Sequence, residues 1–305
     1  MAKNNNTLHT AKALKNDEFY TTLSAIEKEM SNYTDFFKGK VVYCNCDDAR
    51  ESNFFKYFSK NFEFLGLKKL ITTGYKTEGK GVVLVYEGDK NGNHKVEDDE
   101  IVVRQLEGSG DFRSEECIEF LKEADVVITN PPFSLFREYV KQLMDFNKKF
   151  IVLGNMNAIT YKEIFPYIKN DELWLGVSPR GLDFILPDGS TSNVNATWFT
   201  NIEHKKRNTP LDLYKRYSNE YPKYDNYDAI EVGKTCDIPM DYDGVMGVPI
   251  TFLDKYCPEQ FEILDMNPHF FTLVEQGFEK PKQLSLKSYG MKDPYARILI
   301  RKRNA

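Results

Sequence analysis

The stretch Asp125-Val126-Val127-Ile128-Thr129-Asn130-Pro131-Pro132-Phe133 constrains the fold more than any other part of the 305-residue chain. Residues 126–128 predict a strand buried on both faces, because consecutive β-branched residues suit a sheet covered from both sides. The two prolines cannot continue it, since each fixes φ and lacks an N–H. Asn130 and Phe133 are therefore expected on a stiff loop at the strand's carboxyl end, where open α/β sheets bind ligands. Further apolar strands are predicted at 40–44, 68–73, 150–154, 173–175 and 197–199. Leu23, Ile26, Met30, Tyr33 and Phe37 recur at helical spacing, as do Phe54, Phe55, Phe58 and Phe62, and Leu135, Phe136, Tyr139, Val140, Leu143 and Met144. Strands alternating with helices predict an open, mostly parallel α/β sheet.

The Asn130 loop suits one kind of chemistry. An exocyclic amine conjugated to an aromatic ring is a poor nucleophile, because its lone pair is delocalised. Two oxygens accepting its N–H hydrogens favour the tetrahedral, nucleophilic geometry. The Asn130 side-chain carbonyl and the Pro131 backbone carbonyl can supply them, Pro132 stiffens their positions, and Phe133 offers a flat face for a planar base.

Composition excludes several classes. Hydrophobic residues at 41% provide for a substantial core, and no window is long and apolar enough for a membrane span. The start is polar and lacks a signal-peptide run, so a cytoplasmic protein with no membrane partner is expected. Five scattered cysteines (Cys44, Cys46, Cys117, Cys236, Cys257) and four unclustered histidines read as reduced thiols and no metal site. The net charge of −5 weighs mildly against nucleic acid, but phosphate binding needs only a local basic face.

Other segments refine the picture. Asn45, Cys46 and Asp47 follow the 40–44 strand, where a nucleotide-type cofactor would sit against the next helix, although no Gly-x-Gly is present. Residues 81–106 predict a long hairpin, 82–86 against 101–103, with Asn91-Gly92 near its tip. Asp89, Asn91, Asn93 and Glu100 fall at calcium-loop positions one, three, five and twelve; the sixth is His94, not glycine, and strand-like flanks favour the plain hairpin. Ser114-Glu115-Glu116 is a helix start, Thr160-x-x-Glu163 a capping box, and Thr209-Pro210 the start of a short helix.

Asn130-Pro131-Pro132-Phe133 after an apolar strand resembles the catalytic motif of S-adenosylmethionine-dependent amino-methyltransferases. Asp17-Glu18-Phe19-Tyr20-Thr21 is similar to the segment lining the cofactor's methionine end in adenine-N6 enzymes. The glycine-free string Val41-Val42-Tyr43-Cys44-Asn45-Cys46-Asp47-Asp48, with Ser52 to Phe58, Gly66 to Ile71 and Gly244 to Leu253, narrows this to the EcoRI-type adenine-specific DNA methyltransferases, from about residue 17 to the end. The resemblance implies a class I S-adenosylmethionine-dependent methyltransferase, Rossmann-like, with a mostly parallel seven-stranded sheet, a hairpin insert and a C-terminal target-recognition region. It implies Asn130, Pro131, Pro132 and Phe133 as catalytic, and Asp17, Phe19, Tyr20, Thr21, Cys44, Asn45, Cys46, Asp47, Asp111, Phe112 and Asn130 as cofactor-binding. Asp111 would accept from the cofactor's adenine amino group, and Phe112 would pack its ring. The acidic residue usual at the end of the second strand is replaced by Thr72-Thr73-Gly74, with Asp47 or Asp48 as substitutes.

Residues 1–16 are expected to be a flexible arm, 17–200 the catalytic domain, 201–243 the target-recognition segment, and 244–305 a segment packing back on the catalytic domain. Lys205, Lys206, Arg207, Lys215 and Arg216 are candidates for DNA contact. The expected partner is double-stranded DNA, with room for a separately encoded restriction endonuclease of a restriction-modification pair. The competing readings are an RNA or protein-glutamine methyltransferase with the same pocket, and a DNA-binding homologue with a dead cofactor site.

Overall fold

Runs of β-branched and aromatic residues make the centre of one sheet in the computed structural model, which describes residues 20–45, 48–185, 189–267 and 283–303. By contacts the described residues form two units, one within 1–156 and 176–202, the other within 157–175 and 203–305. The expected segments 201–243 and 244–305 thus fall almost wholly in one unit, together with 157–175. Residues 1–19, 46 and 47 lie outside the described residues, and with them the arm at 1–16 and the sites expected at Asp17, Phe19, Cys46 and Asp47; the Tyr20 side chain lies outside them as well.

The first unit runs through β1 (Tyr20–Thr21), α1 (Leu23–Met30), β2 (Val41–Cys44), α2 (Asn53–Lys60), α3 (Phe62–Leu65), β3 (Lys69–Gly74), β4 (Val82–Tyr86), β5 (Ile101–Gln105), α4 (Glu115–Glu123), β6 (Val126–Thr129), α5 (Phe136–Asp145) and β7 (Lys149–Asn155). After α6 (Phe165–Lys169) and β8 (Trp174–Leu175), which belong to the second unit, it resumes with β9 (Leu182–Ile185), β10 (Thr191–Val194) and β11 (Ala196–Thr200). The large sheet of this unit has the order β5-β4-β3-β2-β6-β7-β11. Its centre, β3-β2-β6-β7, is parallel; β11 is antiparallel to β7, and the expected hairpin adds β4 and β5 antiparallel at the β3 edge.

Helices cover both faces of that centre. Side chains alternate along β11, so Trp198 meets Phe54 of α2 (ring centroids 6.3 Å) while Phe199 meets Phe136 of α5 on the other face (5.0 Å). Every residue of β2 and of β6 is buried. Helix starts follow local chemistry: Thr22, Ser52 and Ser114 each accept a backbone N–H of the first turn of α1, α2 and α4. The hairpin tip winds around Asp89, which accepts the backbone N–H groups of Asn91 (3.1 Å), Gly92 (2.7 Å) and His94 (2.6 Å). His94 takes a left-handed φ of 60°, where a calcium loop would have glycine.

A second, three-stranded sheet, β1-β9-β10, was not anticipated; it pairs Thr21 with Phe184. Glu29 of α1 fixes the approach to it: the buried carboxylate accepts from Tyr33 Oη (2.8 Å) and from the backbone N–H groups of Val177 (2.8 Å) and Ser178 (2.7 Å).

The second unit contains β12 (Ile230–Glu231), β13 (Met246–Val248), β14 (Phe261–Asn267) and β15 (Arg297–Lys302), in the order β12-β13-β15-β14. Arg297 forks onto the buried Glu231 (2.6 and 2.9 Å), which Tyr224 Oη also contacts. Two local expectations need correction here. No helix starts at Thr209-Pro210: the backbone N–H and C=O of Leu211 are both bonded by the Gln260 side chain (2.7 and 2.8 Å), which holds the segment extended. Thr160 makes no capping box either, because its hydroxyl donates back to the Asn157 carbonyl (2.8 Å) and the helix begins later, at Phe165.

Candidate active site

In the large sheet, the connection after β2 goes to β3 on one side, and the chain later returns to β6 on the other. The carboxyl ends of β2 and β6 thus flank a topological switch point, the place where open α/β sheets bind ligands. The parallel register (Val42 with Val126, Tyr43 with Val127) brings Asn45, just past β2, level with Thr129 at the end of β6. The Thr129 hydroxyl donates to the Asn45 backbone carbonyl, and Tyr139 Oη, from α5, donates to Asn45 Oδ1. Cys44 is buried in the strand itself.

Asn130 follows directly, half-buried, with its amide oxygen beneath the surface. Pro131 is buried, and the Pro132 carbonyl accepts the Leu135 N–H (2.9 Å) to close the turn that carries Phe133. Phe133 stays half-exposed and meets Phe184 of β9 edge-on (centroids 6.4 Å, 87°). Because Phe184 pairs with Thr21, the segment at 20–21 arrives at the same wall, where Asn53 Nδ2 donates to the Thr21 carbonyl (2.8 Å). The buried Thr21 hydroxyl has no hydrogen-bond partner among the described residues. Such a group costs about 1–3 kcal/mol unless something bonds to it.

Asp111 and Phe112 come in from a glycine turn. Gly110 has φ +84°, and a Cβ there would stand 2.5 Å from the Gly74 carbonyl oxygen, so only glycine fits. Phe112 is buried with its ring edge-on to Tyr139 (5.0 Å), and its carbonyl accepts from Gln142 Nε2 (3.2 Å). Arg113 grips the Asp111 carboxylate through Nε (2.8 Å) and a terminal nitrogen (2.6 Å) and lies over the Phe112 ring (5.2 Å). Those hydrogen bonds hold the Asp111 carboxyl below the usual range and the Arg113 guanidinium above its own. The threonines in place of the second-strand acid are used internally: Thr73 bonds Tyr43 Oη (2.8 Å) and Thr72 reaches the Ala49 carbonyl (3.4 Å). Asp48 accepts the N–H groups of Arg50 and Glu51 (3.0 and 2.9 Å) in the turn before α2.

A sequence profile described as "Adenine-specific methyltransferase EcoRI" matches residues 7–303. The Type II methyltransferase M.EcoRI of Escherichia coli is 47% identical over 332 aligned positions, covering 99% of this chain and 98% of that protein. The chain belongs to the EcoRI family of adenine-specific methyltransferases. Two mycoplasma relatives agree: the Type II methyltransferase M.MgeORF184P of Mycoplasma genitalium is 39% identical over 96% of this chain and 97% of its own length. M.MpnI of Mycoplasma pneumoniae is 37% identical over the same shares.

Within this family the first unit has the class I methyltransferase fold, here with a parallel centre and β11 antiparallel beside it. The residues expected to hold a methyl donor have the chemistry for it: a buried hydroxyl at Thr21 with no partner among the described residues, an oriented amide at Asn45 and a carboxylate at Asp111. The sequence gives no role to Thr129, Tyr139 or Phe184, which the structure places against Asn45 and Phe133. Tyr139 lies on the helical stripe that runs from Leu135 to Met144, and its hydroxyl, a buried donor that must find an acceptor, is the one signal in the sequence for a polar partner.

The basic candidates lie in the second unit. Arg207 is stacked on Trp174 (3.9 Å) and paired with Asp171 (3.1 Å) and Glu203 (3.0 Å), its side chain only 10% exposed, so it is committed to packing. Lys215 pairs with Asp237 (2.7 Å) and Arg216 with Asp241 (3.7 Å). Lys205 is exposed and Lys206 half-exposed on the short turn Lys205–Asn208.

Proposed function

We propose that this member of the EcoRI family methylates N6 of adenine at a specific site in double-stranded DNA, with S-adenosylmethionine as donor. The observation that carries the proposal is the convergence of Asn130, Pro131 and Phe133 with Asn45 and the Asp111–Phe112 turn at the carboxyl ends of β2 and β6. When bound, S-adenosylmethionine supplies a methyl carbon already activated by the sulfonium charge. Asn45, Thr21, Asp111 and Phe112 hold that donor. Asn130 Oδ1 and the Pro131 carbonyl accept hydrogen bonds from the two N6–H groups, which draws the amine's lone pair out of conjugation and onto N6. Phe133 stacks on the base. An adenine inside a duplex is out of reach, so it must leave the stack at a cost of a few kcal/mol, offset by Phe133 and the pocket's hydrogen bonds. Most of the rate enhancement is then positioning. The reaction takes place in the cytoplasm, beside DNA, and a separately encoded endonuclease of the same site is the natural counterpart.

Tritium transfer from labelled donor to duplex DNA, RNA and protein tests this reading. Label is expected only in duplex DNA, as N6-methyladenine; transfer to RNA or to glutamine, or no donor binding at all, would refute it.

A further inference from the structure

The switch point lacks the glycines that usually let a cofactor approach the first strand-to-helix turn. With glycine, bare backbone N–H groups face the ligand; here Asn45 brings a side chain whose amide can swing and whose carbonyl is a second polar group to be placed. Both are fixed from outside the turn. The Thr129 hydroxyl, at the end of β6, takes the Asn45 main-chain carbonyl, and Tyr139 Oη, from α5, takes Oδ1. With Oδ1 accepting from Tyr139, the amide's donor side, Nδ2, is the part left to address a ligand. Tyr139 also braces the Phe112 ring at 5.0 Å, and Thr129 is the residue directly before Asn130.

We infer that Tyr139 and Thr129 are positioning residues that set affinity for the methyl donor by orienting Asn45, in place of a glycine-rich turn. This rests on the reading of the switch point as the donor site.

The test is calorimetric titration of S-adenosylmethionine into the unliganded chain, with steady-state kinetics alongside. Tyr139→Phe keeps the ring and its packing on Phe112 and removes only the hydroxyl. It is expected to weaken donor Kd and raise donor KM by about tenfold, as for one lost oriented hydrogen bond. Turnover at saturating donor should stay within about twofold of wild type. Thr129→Val should act in the same direction, and Thr129→Ser, which retains the hydroxyl, should restore near-native affinity. In the Asn45→Ala background, Tyr139→Phe should have little further effect on Kd. If Asn45→Ala leaves Kd unchanged, the donor-site reading itself is wrong. If Asn45→Ala weakens binding while Tyr139→Phe and Thr129→Val bind as wild type, or if the Tyr139 and Asn45 effects simply add, the clamp is overturned and the donor-site reading survives.

Discussion

Single residues divide here into those that would touch the reactants and those that hold others in place. Asn130→Ala is expected to cut methyl transfer about a hundredfold or more while donor still binds, because one of two preorganised acceptors is lost. Phe133→Ala removes a stacking face and should cost less; single-turnover transfer measured beside calorimetric donor binding checks the order. Glu29 stands at the other extreme, outside the expected reactant contacts but fully buried and bonded to Tyr33 and to the chain at 177–178. Glu29→Ala strands the buried Ser178 N–H and Tyr33 hydroxyl and the part-buried Val177 N–H, and should destabilise the fold by about 1–3 kcal/mol, read from urea midpoints. Asp111 makes a pH-dependent contribution to stability. Its folded carboxyl is held below the unfolded value of about 3.9, so the Arg113 grip stabilises the protein at all pH above that value. The contribution fades as pH falls through the lower folded value. Arg113→Ala should return the Asp111 titration toward 3.9 by NMR, with a stability loss under about 1 kcal/mol for so solvent-facing a pair.

Among elements, the turn at Gly110 delivers Asp111 and Phe112 only because three backbone stretches approach closely. A Cβ at Gly81 would lie 2.6 Å from the Gly74 carbonyl oxygen, and one at Gly110 would lie 2.5 Å from it. Gly110→Ala must displace that turn, and with φ +84° it is strained even in open space. It should cost about 1–3 kcal/mol of stability and weaken donor binding together, a coupling that Glu29→Ala need not show. The hairpin β4–β5 was legible from its own β-branched runs and Asn91-Gly92 turn. The pairing of β1 with β9 was not, because a two-residue strand has no periodicity; Phe184 entered the site through that pairing alone.

At the scale of the molecule, a net charge of −5 has to coexist with a polyanionic partner. DNA affinity should fall steeply with salt, and Lys205→Ala, at an exposed and basic turn, should lower it for all sequences and reduce the log–log salt slope by about one. Arg207→Ala should act instead on the stability of the second unit, since its guanidinium is enclosed by Trp174, Asp171 and Glu203. Titrations by fluorescence anisotropy at several salt concentrations separate the two.

By itself the sequence determined the α/β class, the central strands, the hairpin and the loop at Asn130–Phe133, because each is written in short-range terms: β-branched runs, proline stereochemistry, helical stripes. The family followed from strings equally local. Tertiary structure alone decided which hydroxyls orient Asn45, that Asp111 is gripped by Arg113, that Phe184 backs Phe133, and that Arg207 is enclosed. Contacts such as Tyr139 with Asn45 join residues 94 positions apart, and no periodicity or motif encodes a pairing that arises only when a helix packs against the end of a particular strand.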